Sequence, residues 1–312
     1  MNTLINVAFP VFAIIGIGYL AGWRGILGSD SAAALNRFVY YFALPPVLFL
    51  FTARAPIEAI LNWPFIGAFL LGTILTLALA LIVGRLVFGH DASGLAMHGF
   101  TAVFSNTAYM GIPLFLTAFG DEGALPAIVA TLAGNTLLVG GVIAAMEATR
   151  AKGPSTWDIV REVSVTLCRN PLLVAPFLGI GFSMLDIGLV KPVANFLDLM
   201  AASAGPAALF ALGLSLVGKP LTGHMKEVSC LVLLKVLVQP IVTYLLVEYV
   251  FDLEPIWAKG AILLSALPAG ALVFVVAQQY DLHVNRASAA IVLSTAVSVI
   301  TVSGLLILLE IG

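Results

Sequence analysis

The sequence predicts an all-α polytopic membrane protein with ten transmembrane helices in two inverted five-helix repeats, whose helices 4 and 9 are broken and cross at mid-membrane. Composition, the spacing of apolar runs and the distribution of basic residues lead to this fold class. Apolar residues make up 61% of the 312-residue chain and charged residues 10%, where about 25% charged is usual in soluble domains. This composition excludes soluble enzymes, nucleic-acid binders and disordered proteins.

Apolar runs long enough to cross a membrane occur ten times. A transmembrane helix needs about 20 mostly apolar residues to span about 30 Å of hydrocarbon. The first run has no basic segment before it and exceeds a signal-peptide core, so we expect it to be retained as a helix. The runs lie at about 3–22, 31–52, 64–88, 94–119, 123–147, 171–189, 193–217, 227–250, 256–279 and 287–310.

The basic residues favour one side of the membrane. Lys and Arg prefer cytoplasmic loops, and one orientation places nine of them inside and three outside. This bias predicts that both termini lie outside; Arg37 and Lys235 fall within spans and are not counted. The inner set is Arg24, Arg85, Arg150, Lys152, Arg161, Arg169, Lys219, Lys226 and Arg286, and the outer set is Arg54, Lys191 and Lys259.

The ten runs divide into five and five around a polar connector. We assign residues 1–148 to the first repeat, 149–170 to a cytoplasmic connector and 171–312 to the second repeat. Five spans per repeat turn the second copy upside down, an architecture common in secondary transporters. At a constant offset of 160 positions, three residue pairs match between the halves: Pro46 with Pro206, Ser105 with Ser265, and Asp121 with Asp281.

The connector has a helix-start pattern. Ser155 is followed three residues later by Asp158, which resembles a capping pair, and Val160, Val163 and Leu167 then fall on one helical face. These features predict a short helix in the membrane interface. A plain connector is the alternative.

Spans 4 and 9 carry helix-breaking and polar residues near the bilayer centre. Asn106 lies near the midpoint of span 4, and Pro268 near that of span 9. An interior proline removes a backbone hydrogen bond, and non-helical backbone at this depth survives only against protein or water. We therefore expect two broken helices that cross, with half-helix N-termini able to bind an anion. Two merely kinked helices packed through small residues are the alternative.

Other polar residues within the spans are candidates for function. Lys235 in span 8 is costly at that depth and is a functional candidate by default. It could pair with a substrate carboxylate, fix a carbonyl at a helix break, gate coupling by changing protonation, or serve as a structural cation. Asn135 in span 5 either lines a cavity or bonds between helices. The histidines lie at or near span ends, where we expect interfacial roles: His90, His98, His224 and His283.

The run Asn106-Thr107-Ala108-Tyr109-Met110-Gly111-Ile112-Pro113-Leu114 resembles the NTxxMGIPL segment of the auxin efflux carrier family, which includes plant carriers and bacterial malonate and malate carriers. Leu267-Pro268-Ala269-Gly270, followed by Phe274-Val275-Val276-Ala277, is similar to the family's ninth helix. The resemblance implies ten helices, with a scaffold of helices 1, 2, 6 and 7 and a transport domain that moves past it like an elevator.

The chain also departs from the plant members of that family. Ser105 stands where they have a proline, and Val273 and Ala269 stand where they have a second proline and a polar residue. Their long central loop is reduced here to the connector. We therefore do not carry over the auxin substrate.

Together these features predict a secondary active transporter of the elevator type that moves a small organic anion, expected to be a carboxylate. The alternatives are a channel and an ion-coupled symporter of the bile-acid-transporter type. Substrate-binding candidates are Asn106, Thr107, Gly111, Pro113, Pro268, Ala269, Gly270 and Asn135, and coupling or gating candidates are Lys235, Ser105 and Ser265.

We expect no enzymatic activity, cofactor or metal. The spans hold no facing pair of acids, every histidine is peripheral, and no phosphate-binding Gly-Lys-Ser loop occurs. The coupling ion, proton or sodium, is left open. We expect a bacterial cytoplasmic-membrane protein whose partners are the lipid bilayer and the anion, with a homodimer through the scaffold helices and no nucleic acid.

Overall fold

The computed structural model describes residues 4–149, 155–185, 188–219 and 224–311, and every regular element within these ranges is helical. Arg150 and Lys152, which contribute to the predicted orientation, lie outside the described residues. The helices of the N-terminal half are α1 (Phe9–Trp23), α2 (Ser29–Phe38), α3 (Leu44–Arg54), α4 (Ile57–Ile60), α5 (Trp63–Leu86), α6 (Ala92–Val103), α7 (Ile112–Phe119), α8 (Asp121–Gly134) and α9 (Gly140–Ala148).

The described residues of the C-terminal half form eight α-helices. They are α10 (Thr156–Arg169), α11 (Pro171–Met184), α12 (Lys191–Ser215), α13 (Met225–Leu233), α14 (Gln239–Tyr249), α15 (Pro255–Ser265), α16 (Leu272–Gln279) and α17 (Val284–Leu308). Wider π-helical turns join or precede several helices, at Leu4–Ala8, Val39–Ala43, Thr107–Gly111, Asn135–Val139 and Leu234–Val238.

Seven helical segments of the described chain are long and apolar enough to cross a membrane: Asn6–Trp23, Ser29–Arg54, Ile57–Leu86, Asp121–Ala148, Lys191–Ser215, Met225–Tyr249 and Val284–Leu308. An eighth is added if α10 and α11, which meet at a 72° bend, are one span. Predicted spans 4 and 9 fail the length criterion because each is divided into two short helices. The number of ten transmembrane helices and their arrangement as inverted repeats remain predictions.

The helices pack in two groups. The first contains α1, α2, α3, α11 and α12, with contacts between α1 and α12 and between α3 and α11. Gly18 and Gly213 allow α1 and α12 to approach closely, since a Cβ at either position would clash with the backbone of the opposite helix. The second group contains α5 to α9 and α13 to α17. The groups meet where α12 contacts α7 and where α3 contacts α8.

The connector contains helix α10. The side chain of Ser155 accepts a hydrogen bond from the backbone N–H of Asp158, whose carboxylate accepts one from the N–H of Ser155 in return. The apolar face of α10 reaches α9, since a Cβ at Gly140 would lie 3.5 Å from Val163 and 3.6 Å from Leu167. That face therefore packs partly on protein, and the placement of α10 in the membrane interface stays a prediction.

Candidate functional site

Two helical segments of the second group are each interrupted by a short stretch of non-helical backbone. The first interruption follows α6, which ends at Val103, and precedes the π-helical turn that begins at Thr107 and continues into α7. The second separates α15, which ends at Ser265, from α16, which begins at Leu272. All the residues of the first interruption and most of the second are buried.

The two interruptions pair with each other as short antiparallel strands do. The backbone N–H of Asn106 donates to the carbonyl of Pro268 at 2.9 Å, and the N–H of Gly270 donates to the carbonyl of Phe104 at 2.9 Å. Ser105 lies opposite Ala269. Buried backbone groups need hydrogen-bond partners, and each interruption provides such partners for backbone groups of the other.

Small residues allow this close pairing. A Cβ at Gly270 would lie 2.7 Å from the Phe104 ring and 3.3 Å from the carbonyl oxygen of Ser105. A Cβ at Gly111 would lie 3.0 Å from Leu267. The hydroxyl of Ser294 on α17 accepts a hydrogen bond from the N–H of Ala269 at 3.1 Å. This bond anchors the second interruption to α17.

Unpaired polar groups lie at the first interruption. The side-chain nitrogen of Asn106 and the hydroxyl of Ser105 are buried without a hydrogen-bond partner among the described residues. Asn106 is 3% exposed and directly precedes a half-helix, whose first backbone N–H groups have no intrahelical acceptor. The neighbouring hydroxyl of Thr107 is already engaged, accepting from Thr131 at 2.8 Å. The arrangement offers free donors and a positive helix end, which together suit an anion.

Lys235 caps the end of α15. Its ammonium donates to the carbonyl of Ser265 at 2.6 Å and to the side-chain oxygen of Gln239 at 2.8 Å, and Gln239 in turn donates to Thr73 at 3.1 Å. Lys235 is 1% exposed. The last carbonyls of a helix lack intrahelical donors and carry partial negative charge, so a cation here stabilises the interrupted helix. Within the described part of the chain, its hydrogen bonds reach neither Asn106 nor Pro268.

The remaining predicted site residues are more distant from the pairing. Pro113, in the first turn of α7, faces the first helix group: a Cβ at Gly205 of α12 would lie 3.7 Å from it. Asn135 is buried and begins the π-helical turn between α8 and α9. In the described residues Asn135 makes no hydrogen bond to the interruptions.

A second buried polar cluster was missed by sequence reasoning. One carboxylate oxygen of Glu227 lies 2.6 Å from Nε2 of His90 and 3.0 Å from Nδ1 of His98, and the other lies 3.0 Å from Arg286. The structure buries both rings inside the protein, His98 fully and His90 nearly so, and their position at the membrane interface stays a prediction. Glu227 provides both rings with a hydrogen-bond partner.

His283 completes the surroundings of this cluster. Burial, with the nearby positive charge of Arg286, lowers the pKa of His283 to about 4. It is therefore neutral at physiological pH, and its Nε2 accepts from Arg286 at 3.0 Å. A sequence signal existed for this site: the loops after predicted spans 3, 7 and 9 all carry histidine, and all three were predicted to lie on the same side.

A helical membrane protein with two interrupted helices paired in its interior, and with free donors at the pairing, belongs to the class of membrane transport proteins. The family model described as "Membrane transport protein" matches residues 3–306. The chain belongs to this family, that of the auxin efflux carriers.

Relatives from bacteria and plants match the chain over almost its whole length. A Rhizobium meliloti (strain 1021) protein named "Putative malonate transporter" is 30% identical over 312 residues, which cover 100% of this chain and 98% of the relative. The rice protein "Probable auxin efflux carrier component 5a" is 26% identical, with 98% and 97% covered. The Escherichia coli (strain K12) protein "Uncharacterized transporter YfdV" is 23% identical, with 96% of each chain covered.

Proposed function

We propose that this transporter is a secondary active carrier that moves a small organic anion, a carboxylate, by an elevator mechanism. The observation that carries the proposal is the buried side-chain nitrogen of Asn106, which has no hydrogen-bond partner among the described residues and lies at the N-terminal end of a half-helix. A neutral amide with helix N–H groups binds an anion without a fixed cation. This favours a carrier, which must release its substrate as well as bind it.

The name of the Rhizobium relative supports a short dicarboxylate as the first substrate to test. The bound carboxylate would accept hydrogen bonds from the Asn106 amide and from backbone N–H groups of the turn after Thr107, whose own N–H donates to the carbonyl of Ser105 at 2.8 Å. Thr107, Gly111, Pro113, Pro268, Ala269, Gly270 and Asn135 would shape or border the site, and Ser105 would add a hydroxyl.

The packing into two groups supports the elevator mechanism. Both interruptions and Lys235 belong to the second group, so a rigid movement of that group past α1, α2, α3, α11 and α12 would carry the whole site. We further propose coupling to a proton or sodium gradient, in which Lys235 and Ser265 hold the end of α15. A homodimer through the first group is part of the same proposal, as is residence in a bacterial cytoplasmic membrane.

The structure supports the predicted division of the loops between the two sides of the membrane, on which the proposed orientation with both termini outside depends. His90 in the loop after α5, Glu227 in the first turn of α13 and Arg286 in the first turn of α17 meet in one cluster. The loops beside all three were predicted to be cytoplasmic. Arg54, which the sequence places at the opposite side, pairs at 3.0 Å with Asp198 of α12, the helix that begins at Lys191 of the same outer set. Residues predicted to share a side of the membrane are therefore neighbours.

Transport itself should be saturable and stimulated by substrate on the opposite side. In proteoliposomes loaded with unlabelled malonate, we expect faster uptake of labelled malonate than in empty ones, because a carrier returns faster when loaded. Mono- and dicarboxylates are then compared under imposed proton or sodium gradients. Saturable exchange supports a carrier; a current that rises linearly with substrate and shows no exchange would indicate a channel instead.

Orientation is tested by cysteine labelling. With Cys168 and Cys230 replaced by serine, Ser155→Cys should resist a membrane-impermeant maleimide in sealed right-side-out vesicles, because α10 lies on the cytoplasmic side. The control is Asp252→Cys, an exposed position between α14 and α15 that we expect to react in the same vesicles. Labelling of Ser155→Cys before permeabilisation would reverse the orientation.

A further inference from the structure

The cluster of His90, His98 and Glu227 has no role in the proposed transport site. Three potential ligand atoms, Nε2 of His90, Nδ1 of His98 and a carboxylate oxygen of Glu227, all lie within 4.8 Å of one another. We propose that these three residues bind a divalent transition-metal ion of the Zn²⁺ class.

The ligand set and its geometry fit such an ion. Two imidazole nitrogens and one carboxylate oxygen, with a fourth position open to water, are a recurrent zinc set. Tetrahedral ligands at 2.0–2.1 Å from the metal are separated by about 3.3 Å. The glutamate oxygen now lies 2.6 Å from His90 and 3.0 Å from His98. Shifts of less than an ångström would open these two separations to the required length, and the separation between the two histidine nitrogens, at most 4.8 Å, would close by up to about 1.5 Å.

The three ligands are held in place by their neighbours. Arg286 binds the second oxygen of Glu227 at 3.0 Å, and its guanidinium thus orients the carboxylate as outer partners orient metal ligands. The Phe88 ring packs beside both histidine rings, with centroids 6.2 Å and 5.6 Å away. Arg85 donates to the carbonyl of His90 at 3.0 Å. These contacts hold Glu227 and His90 in place before an ion binds, whereas Nε2 of His98 is buried without a hydrogen-bond partner among the described residues.

Charge and donor type favour a transition metal over Mg²⁺ or Ca²⁺. Glu227 is the acidic residue at the centre, and Arg286 already binds one of its oxygens. Mg²⁺ and Ca²⁺ require several oxygen ligands, which this cluster does not supply. Imidazole nitrogens suit Zn²⁺ and its neighbours. Binding requires each ring proton to reside on the other nitrogen, so that two metal–nitrogen bonds replace the two hydrogen bonds to Glu227.

The site can be reached by an ion. A cavity of about 410 Å³ borders Glu227 and is lined by Phe88, His224, Met225 and Lys226. The cavity reaches the carboxylate of Glu227, whereas His90 and His98 do not line it. A bound ion would tie the turn between α5 and α6 to the start of α13, and so join the two halves of the sequence.

The test uses the full-length protein in detergent, with any affinity tag removed and the exposed Cys168 replaced by serine. Titration calorimetry with Zn²⁺ alone should give one ion per chain. Glu227→Gln and His98→Gln should each weaken binding at least about 100-fold, since even outer partners of a metal contribute 10- to 100-fold. Arg286→Gln, which alters only such a partner, should weaken it about 10- to 100-fold.

Glu122→Gln, at an exposed acid on α8, is the matched control and should bind as the parent does. Zinc should also raise the melting temperature of the parent but not of Glu227→Gln. X-ray absorption of the zinc-loaded parent should show nitrogen and oxygen ligands with an imidazole signature, a readout that needs no variant. Absence of stoichiometric binding, sulfur ligation, or unchanged affinity in Glu227→Gln would each overturn the proposal.

Discussion

Replacing Asn106 with alanine should weaken binding of the transported carboxylate about 10- to 150-fold. The amide is buried and its nitrogen has no partner in the described residues, so it is free to donate to a substrate. Loss of one hydrogen bond to a charged group costs about 1.5–3 kcal/mol, which corresponds to that range of affinity. Binding is measured by calorimetry on purified protein, with the substrate found in the uptake assay.

Two further variants separate binding from folding. Asn106→Asp should bind more weakly than Asn106→Ala, because it places a negative charge against the anion. Asn195→Ala, at an exposed position on α12, is the matched control and should bind like the wild type. If Asn106→Ala binds as tightly as the wild type, the substrate does not lie at the interruption, and Asn106 only precedes the helix start.

Replacing Lys235 with methionine should reduce the transport rate at least about tenfold while the protein still inserts and purifies. The substitution removes two charge-assisted hydrogen bonds, each worth about 1.5–3 kcal/mol, and leaves the end of α15 without its cation. These bonds go to Ser265 and Gln239 of the protein and not to the substrate. We therefore expect the maximal rate to fall with little change in the substrate concentration that gives half-maximal uptake.

The same substitution at a partly buried lysine provides the control. Lys259, also on α15, bonds the carbonyl of Glu310 at 3.3 Å near the surface, and Lys259→Met should transport normally. A fully active Lys235→Met protein would show that the buried lysine is dispensable. A variant that fails to fold would show that its role is structural rather than in transport.

The interruptions could be predicted from the sequence, whereas their partners could not. Pro268 cannot donate a backbone hydrogen bond, and the polar Asn106 stands in the middle of an apolar run; both are local signals. The bond between Asn106 and the carbonyl of Pro268 joins distant parts of the chain, and no local pattern encodes it. The same is true of Lys235. The sequence indicated several possible roles for this lysine, but its bond to the Ser265 carbonyl is seen only in the folded structure.

The histidine cluster shows a different limit. A histidine near the end of an apolar run is usually interfacial, so His90 and His98 each favoured that interpretation separately. The burial of both rings beside the shared carboxylate of Glu227 depends on distant parts of the chain coming together, which no local pattern shows. The π-helical turns were not predicted either, because one extra residue in a turn does not change the hydrophobic composition of a span.

The mutual pairing of the interruptions also constrains how the protein can assemble. The N-terminal half is synthesised first, and the carbonyl of Phe104 and the N–H of Asn106 then have no partner until the segment around Pro268 and Gly270 arrives. Unpaired backbone groups in lipid cost free energy. Until the second half is inserted, this part of the first half should therefore stay helical or be shielded from lipid by other protein. The transport site would thus be the last part of the molecule to form, and separately expressed halves would lack it until they associate.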